Sequence, residues 1–315
     1  MKFAKDTQLR ANLHSDAETL AEALPWIKEA TGKTVVIKYG GSAMEDPELR
    51  AKVMSDIVLL KIIGLNPVLV HGGGKAINKA FERYAFPVEF KDGLRVTSPE
   101  AMDVVRMVLV GEVNQNLVRD LNEHGNLAVG VSGGDGGTIV ARQLAPEYGR
   151  VGEIVQVNVE YLNALIEKDY IPVVAGVAQG LDGGYYNINA DVAAGAIAGA
   201  IGAHKFIALT DVDGVYYDYP NRDSLISNMT RDEARAMVQS GSIDTGMIPK
   251  LKSCIDALDA GVMRAHVING KTPHALLLEL LTNTGVGTVI HGTEESYERE
   301  MHPLGAFASK LSVNQ

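Results

Sequence analysis

The chain has 315 residues, a formal net charge of −10, 46% hydrophobic residues and only 6% aromatics. That acidic balance argues against a nucleic-acid or anionic-membrane surface as the main partner, and no apolar run is long enough to span a bilayer. The single cysteine, Cys254, excludes an internal disulfide. Together with the lack of a signal-like apolar segment near the start, it leads us to expect a cytoplasmic protein.

Residues 1–33 read as helical, with Leu9, Leu13, Ala17, Leu20, Leu24 and Ile27 on one stripe. Pro25 should kink or interrupt that helix. The nearly heptad spacing favours a contact with a neighbouring subunit over packing on the same domain. Thr34 to Ile37 is a short β-branched run, read as a strand buried on both faces. It ends in Lys38 and Gly40-Gly41, before Asp46-Pro47 opens a helix. Glycines let backbone N–H groups approach an anion, and a neighbouring lysine supplies charge, a combination that suits a phosphate. The alternative is a plain turn with a solvated lysine.

A helix over 47–63 leads to a second buried strand, Pro67 to Val70, and then to His71-Gly72-Gly73-Gly74 at the start of another helix. Exposed N–H groups with the helix dipole behind them repeat the anion-binding arrangement one βα unit later. Neither G-x-G-x-x-G nor G-x-x-x-x-G-K-[ST] is present, so neither loop is a Rossmann or P-loop fingerprint. His71 reads as a packed or loop-capping residue, and Lys75 as a solvated first-turn residue.

Residues 86–97 form a hairpin turning at Asp92-Gly93. From spacing alone Arg95 is an exposed hairpin arginine, although its fork of donors also matches a carboxylate. Ser98-Pro99-Glu100 starts one long helix through about Leu121. A strand over 127–131, the glycine-rich loop 132–137, a hairpin over 138–157, a helix over 159–168 and a strand over 171–175 follow. Tyr186 to Asp191 leads into an Ala/Gly-rich helix (193–202). Either this segment only packs closely, or Asn187 and Asp191 contribute polar groups near the lysines. Strands over 206–209, 264–268 and 287–290 and helices near 230–240, 248–260 and from Pro273 complete an α/β chain, with a soft boundary near 185 inside one continuous sheet.

The set VVIKYGG, LVHGGGKAI, FKDGLRVT, YYNINAD, LTDVDGVY and TGMIPK, in this order, resembles the amino-acid kinase family, within it the members that phosphorylate N-acetyl-L-glutamate. The resemblance implies a three-layer αβα sandwich around a mostly parallel sheet, and four segments: an oligomerising N-terminal helix (1–30), an acyl-substrate lobe (31–185), an ATP lobe (186–300) and a tail (301–315). The implied reaction makes N-acetyl-L-glutamyl 5-phosphate, the second step of arginine synthesis. Lys38 and Lys250 would flank the transferring phosphoryl group, with Asp191 positioning them. Gly40, Gly41, Gly73 and Gly74 would donate backbone N–H bonds to the phosphates and the acyl substrate, and Arg95 and Asn187 would hold the substrate α-carboxylate. Asp211, Tyr216, Gly246 and Met247 would lie along the nucleotide. ATP would carry Mg²⁺ with few or no direct protein ligands. The N-terminal helix resembles that of arginine-inhibited members that assemble as hexamers. A homo-oligomer (dimer or hexamer) and an L-arginine effector near Glu279, Glu294 and Glu295 are therefore expected. Lys75-Ala76 departs from the Pro-Gln that many relatives carry after the glycine loop. Alternatives are another family member, such as a glutamate 5-kinase or carbamate kinase, or a non-catalytic regulatory homologue.

Overall fold

The structure, a computed structural model, describes residues 20–219, 221–282 and 285–293. Its first element is helix α1 (20–30), which runs through Pro25 without interruption. Ala23, Trp26 and Ala30, on either side of that proline, are buried in the core. Their packing offsets the helical hydrogen bond that proline removes. This part of the helix therefore packs on its own domain, with Leu20 and Leu24 exposed. Leu9, Leu13, Ala17, Glu294, Glu295 and the tail lie outside the described residues.

In chain order there follow β1 (Thr34–Tyr39), α2 (Pro47–Ile62), β2 (Asn66–His71), α3 (Gly74–Arg83), β3 (Phe90–Lys91) and β4 (Leu94–Arg95). Next come α4 (Pro99–Arg106), a π-helical stretch (Met107–Asn114), α5 (Gln115–Asn122), β5 (Ala128–Ser132), β6 (Ile139–Gln143) and β7 (Gly152–Val157). The middle of the chain adds α6 (Glu160–Glu167), β8 (Ile171–Ala175), β9 (Val177–Gly180), β10 (Tyr185–Asn187), α7 (Ala190–Ala200) and β11 (Lys205–Thr210). The last elements are β12 (Val215–Tyr216), β13 (Leu225–Ile226), β14 (Asn228–Thr230), α8 (Arg231–Ser240), α9 (Ile248–Asp259), β15 (Arg264–Asn269), α10 (Ala275–Leu281) and β16 (Thr288–His291).

Eight strands make the central sheet, in the order β14-β16-β15-β11-β1-β2-β8-β5. Every pairing is parallel except β15 with β16. β1 lies inside this sheet, which explains its unbroken apolar run: both faces are covered. Val35, Ile37 and Tyr39 join one core with Ile57, Leu60, Phe81 and Leu121, whereas Val36 joins the other with Ile197, Leu251 and Cys254. Helices thus pack on both faces, giving the expected three-layer αβα sandwich. Each fully buried valine or isoleucine contributes about 1.5–3 kcal/mol relative to exposure. The period of two along β1 puts Lys38 on the Val36 face, toward α7 and α9.

Two features depart from the sequence reading. The segment expected as one α-helix from Pro99 widens into the π-helical stretch in its middle, and β9 and β10 form an additional antiparallel pair. The hairpin at Asp92-Gly93 is as expected, both residues having positive φ (50° and 77°), the geometry a two-residue turn requires. Among the described residues no helix is long and apolar enough to cross a membrane.

Candidate active site at the strand ends

Lys38, near the end of β1, is buried, and its ammonium lies 3.0 Å from Asp191 Oδ1. Lys250, in the first turn of α9, comes within 3.6 Å of Asp191 Oδ2 and donates to Gly246 O at 3.3 Å. One carboxylate therefore holds two lysines from distant parts of the chain. Burial opposes ionisation of Asp191, and the charges of Lys38 and Lys250 overcome it and hold the carboxyl below the usual carboxylate range. Asn189 caps α7 by accepting from the N–H groups of Asp191 and Val192 (2.8 and 3.3 Å), which fixes Asp191 in the first helical turn, where the dipole favours an anion. Lys250 sits at a helix N-terminus, where the dipole disfavours a cation by about 0.3–1 kcal/mol. Nothing in helix stability favours a lysine there, so its placement answers to the site.

The loop after β1 explains its glycines. A side chain on Gly40 would approach Lys38 Nζ to 3.1 Å, and one on Gly41 would sit 2.8 Å from Asp211 Oδ2. Gly41 also has φ +81°, which side chains rarely adopt. Asp211, just past β11, accepts from Ser42 N–H (2.9 Å) and Ser42 Oγ (2.6 Å), with Lys271 Nζ 3.9 Å away. Partial burial raises its pKa, but Ser42 and Lys271 outweigh that and keep it below the ordinary value. A cavity of about 340 Å³ is lined by Asp211, Tyr216, Gly246, Met247 and Lys250, so these five residues of the sequence analysis meet in one place. Tyr216 Oη donates to Asp213 Oδ2 at 2.8 Å.

A larger cavity of about 550 Å³ has Gly41 on its wall, and Gly41 abuts Asp211 of the smaller one. Gly73, Gly74, Arg95 and Asn187 line it together. Gly73 is the N-cap of α3 and supplies no capping side chain, which leaves the N–H groups of the first turn open to a ligand. A side chain at Gly73 would meet Leu109 Cδ2 of the π-helical stretch at 2.7 Å. Arg95 is 6% exposed, which corrects the reading of an exposed hairpin arginine. Its guanidinium lies over Phe81 and Phe90, 5.2 and 4.6 Å from the ring centroids. Nη2 donates to Gly74 O (3.1 Å) and Asn78 Oδ1 (2.6 Å), whereas the buried Nη1 has no hydrogen-bond partner among the described residues. A buried cation with a spare donor beside a cavity is a fitted seat for an acid group. Asn187 Nδ2 makes a long contact to Thr97 Oγ1 at 3.4 Å.

Sequence reasoning missed Ser42, Asn78, Phe81 and Asn114. Only Asn78 left a trace, four residues after Gly74 on the same helical face. His71 is fully buried and capped on both nitrogens, in keeping with the packed role expected for it. Lys75 is exposed. Glu279 is buried, its carboxylate taken by His266 Nδ1 (2.7 Å) and Val286 N–H (2.8 Å). Among the described residues no group of three or more His, Cys, Asp or Glu side chains converges as a metal cage.

Known proteins carry the same arrangement of sequence. The chain is 51% identical over 276 residues to the acetylglutamate kinase of Thermoanaerobacter pseudethanolicus, covering 87% of this chain and 92% of that one. It is 49% identical over 280 residues to the acetylglutamate kinase of Nostoc sp., covering 89% and 94%. A solved structure of N-acetylglutamate synthase from Neisseria gonorrhoeae, complexed with coenzyme A and N-acetyl-glutamate, superposes with a TM-score of 0.78 at 23% identity. The match covers 88% of this chain and 63% of the synthase, and the likeness is one of fold. The pattern of the Amino acid kinase family spans residues 33–269 and so contains the linings of both cavities and the two lysines: the chain belongs to that family.

Proposed function

We propose that the chain transfers the γ-phosphoryl group of ATP to the γ-carboxylate of N-acetyl-L-glutamate, giving N-acetyl-L-glutamyl 5-phosphate in arginine synthesis. The observation that carries this reading is Asp191 gripping Lys38 and Lys250, with Lys250 on the wall of the smaller cavity and Ala190, next to Asp191, on the wall of the larger. The attacking carboxylate is already ionised near neutral pH, so no general base is required. The task is to align two anions that repel each other and to neutralise charge spread over the phosphoryl oxygens. Two ammonium groups held by one buried carboxylate, beside glycine N–H donors, suit that task. The acyl lobe would bind the substrate through Arg95, Asn187 and the α3 N-terminus. The smaller cavity would take the nucleotide. Its lysine, backbone donors and glycine-lined walls fit a polyphosphate, and Mg²⁺, which keeps water and phosphate oxygens as ligands, would enter on it and neutralise phosphate charge.

Following ADP release with N-acetyl-L-glutamate beside unacetylated glutamate tests the reading. Turnover on the acetylated substrate supports it; ATP binding without ADP production on any acyl substrate overturns it in favour of a binding protein. The assembly into a homo-oligomer and feedback inhibition by L-arginine belong to the same proposal. Uninhibited turnover at millimolar arginine by a hexamer would remove the regulatory part.

A further inference from the structure

Beneath the acyl cavity lies a neutral network that the reaction as described does not use. His71 ends β2 and is fully buried. Its Nδ1 lies 2.8 Å from Gly72 O, and its Nε2 lies 3.0 Å from Asn114 Nδ2. Asn114 closes the π-helical stretch, and the same Nδ2 also donates to Val173 O on β8 at 2.7 Å. These partners settle the tautomer. Gly72 O only accepts, so Nδ1 must carry the proton, and an amide already donating to Val173 O presents its second hydrogen to Nε2.

We infer that His71, locked by Asn114, is a positioning residue that aims the Gly73 N–H into the acyl cavity. The reason is geometric. Gly72 C=O and Gly73 N–H share one planar trans peptide and point in opposite directions. Pinning the carbonyl to the imidazole turns the N–H away from it, on a loop that lines the cavity. Gly73 has no side chain to fix its own N–H; its carbonyl accepts from Ile77 N–H at 2.9 Å, which holds the helix side of the residue and leaves the N–H side to the Gly72 peptide. The wide turn of the π-helical stretch gives Asn114 its reach to both β2 and β8, and Leu109 and Val113 of the same stretch press on Gly73.

This rests on the proposed reaction, and two substitutions separate aim from packing. In His71→Asn the amide falls where Nδ1 was and still reaches Gly72 O, losing the Asn114 contact. In His71→Gln the amide falls where Nε2 was, keeping Asn114 and losing Gly72 O. Both lose one hydrogen bond and some ring volume, so a merely structural role would move them alike. We expect His71→Gln to lose about tenfold to a hundredfold in kcat, with KM for ATP changed by less than about twofold. His71→Asn should stay within a few fold of the parent at comparable thermal stability. Equal kcat values for two folded variants would overturn the inference. Should the parent show no phosphoryl transfer, or a variant fail to fold, ¹⁵N-imidazole spectra of the parent decide: a neutral, Nδ1-protonated His71 at neutral pH supports the inference, and an Nε2-protonated or cationic ring overturns it.

Discussion

Two buried polar clusters stand at the ends of neighbouring parallel strands, β1 and β2, and they are built on opposite principles. Lys38 on β1 meets Asp191 and, through it, Lys250, so the cluster is held by charge. On β2, in register with Tyr39, His71 meets Asn114 and Gly72 O through neutral hydrogen bonds. Burial acts on both. At Asp191 two ammonium groups overcome it and the carboxyl stays ionised, whereas at His71 only the hydrogen bond to Gly72 O opposes it and the pKa still falls to about 4. The contrast teaches where this fold keeps charge: ions remain where, on the proposed reaction, a phosphoryl group would be screened, and neutral bonds would suffice where only a backbone has to be aimed.

The contrast breaks most sharply if the charged cluster loses its centre. Asp191→Ala leaves two ammonium groups without their shared counter-ion and should cost about 3–5 kcal/mol of stability in urea denaturation. A loss below about 1 kcal/mol would mean that the lysines relax into solvent and that the cluster is not held by charge. Lys38→Ala and Lys250→Ala test function. Each should lower kcat by roughly 10²–10³, about 3–4 kcal/mol, with little change in KM for ATP. Unchanged turnover in either variant removes that lysine from the mechanism.

The neutral cluster is sharpened by pH. The His71 imidazole is neutral in the folded protein down to about pH 4, whereas in the unfolded chain it takes a proton below its ordinary 6.5. Its contribution is therefore complete above 6.5 and is lost as pH falls toward 4, when the unfolded state binds the extra proton. Between about pH 7.5 and about pH 5 this amounts to about 2 kcal/mol, and His71→Asn should flatten the profile by that much. Asp191 has the same sign at lower pH. Its depressed carboxyl stabilises the fold above the unfolded carboxylate pKa, and that stabilisation disappears as acid protonates it. A profile unchanged by His71→Asn would show that burial does not shift the ring's titration in the folded protein.

The sheet was legible because parallel strands covered on both faces read as unbroken apolar runs, as in Pro67 to Val70 and Ile171 to Ala175. The glycine loops were legible as loops, and resemblance supplied their partners. Asp191 and Lys250 meet only in the fold, and no spacing rule brings α7 and α9 together. Arg95 was misread because its hairpin looks exposed until α3 brings Phe81 and Asn78 against it. Asn114 was invisible for a different reason. Its role depends on a π-helical register that leaves no mark in a 3.6-residue pattern. Ser42 was overlooked because its partner, Asp211, lies on another strand end.

Asp211 gives the intermediate case and the smallest predicted effect. It is ionised like Asp191, but it is half-exposed and held mainly by Ser42 rather than by a lysine, with Lys271 a distant 3.9 Å away. Ser42→Ala deletes the 2.6 Å hydroxyl contact and leaves the 2.9 Å backbone one. Because water can replace the lost donor at such a site, the cost should be about 1 kcal/mol. Asp211 borders the smaller cavity and abuts Gly41, so that cost should appear as roughly a fivefold rise in KM for ATP, with kcat and KM for the acyl substrate nearly unchanged. If kcat falls instead, the hydroxyl acts through Gly41 on the proposed phosphoryl transfer itself, and Asp211 belongs with the charged cluster on β1 rather than with the wall of the smaller cavity.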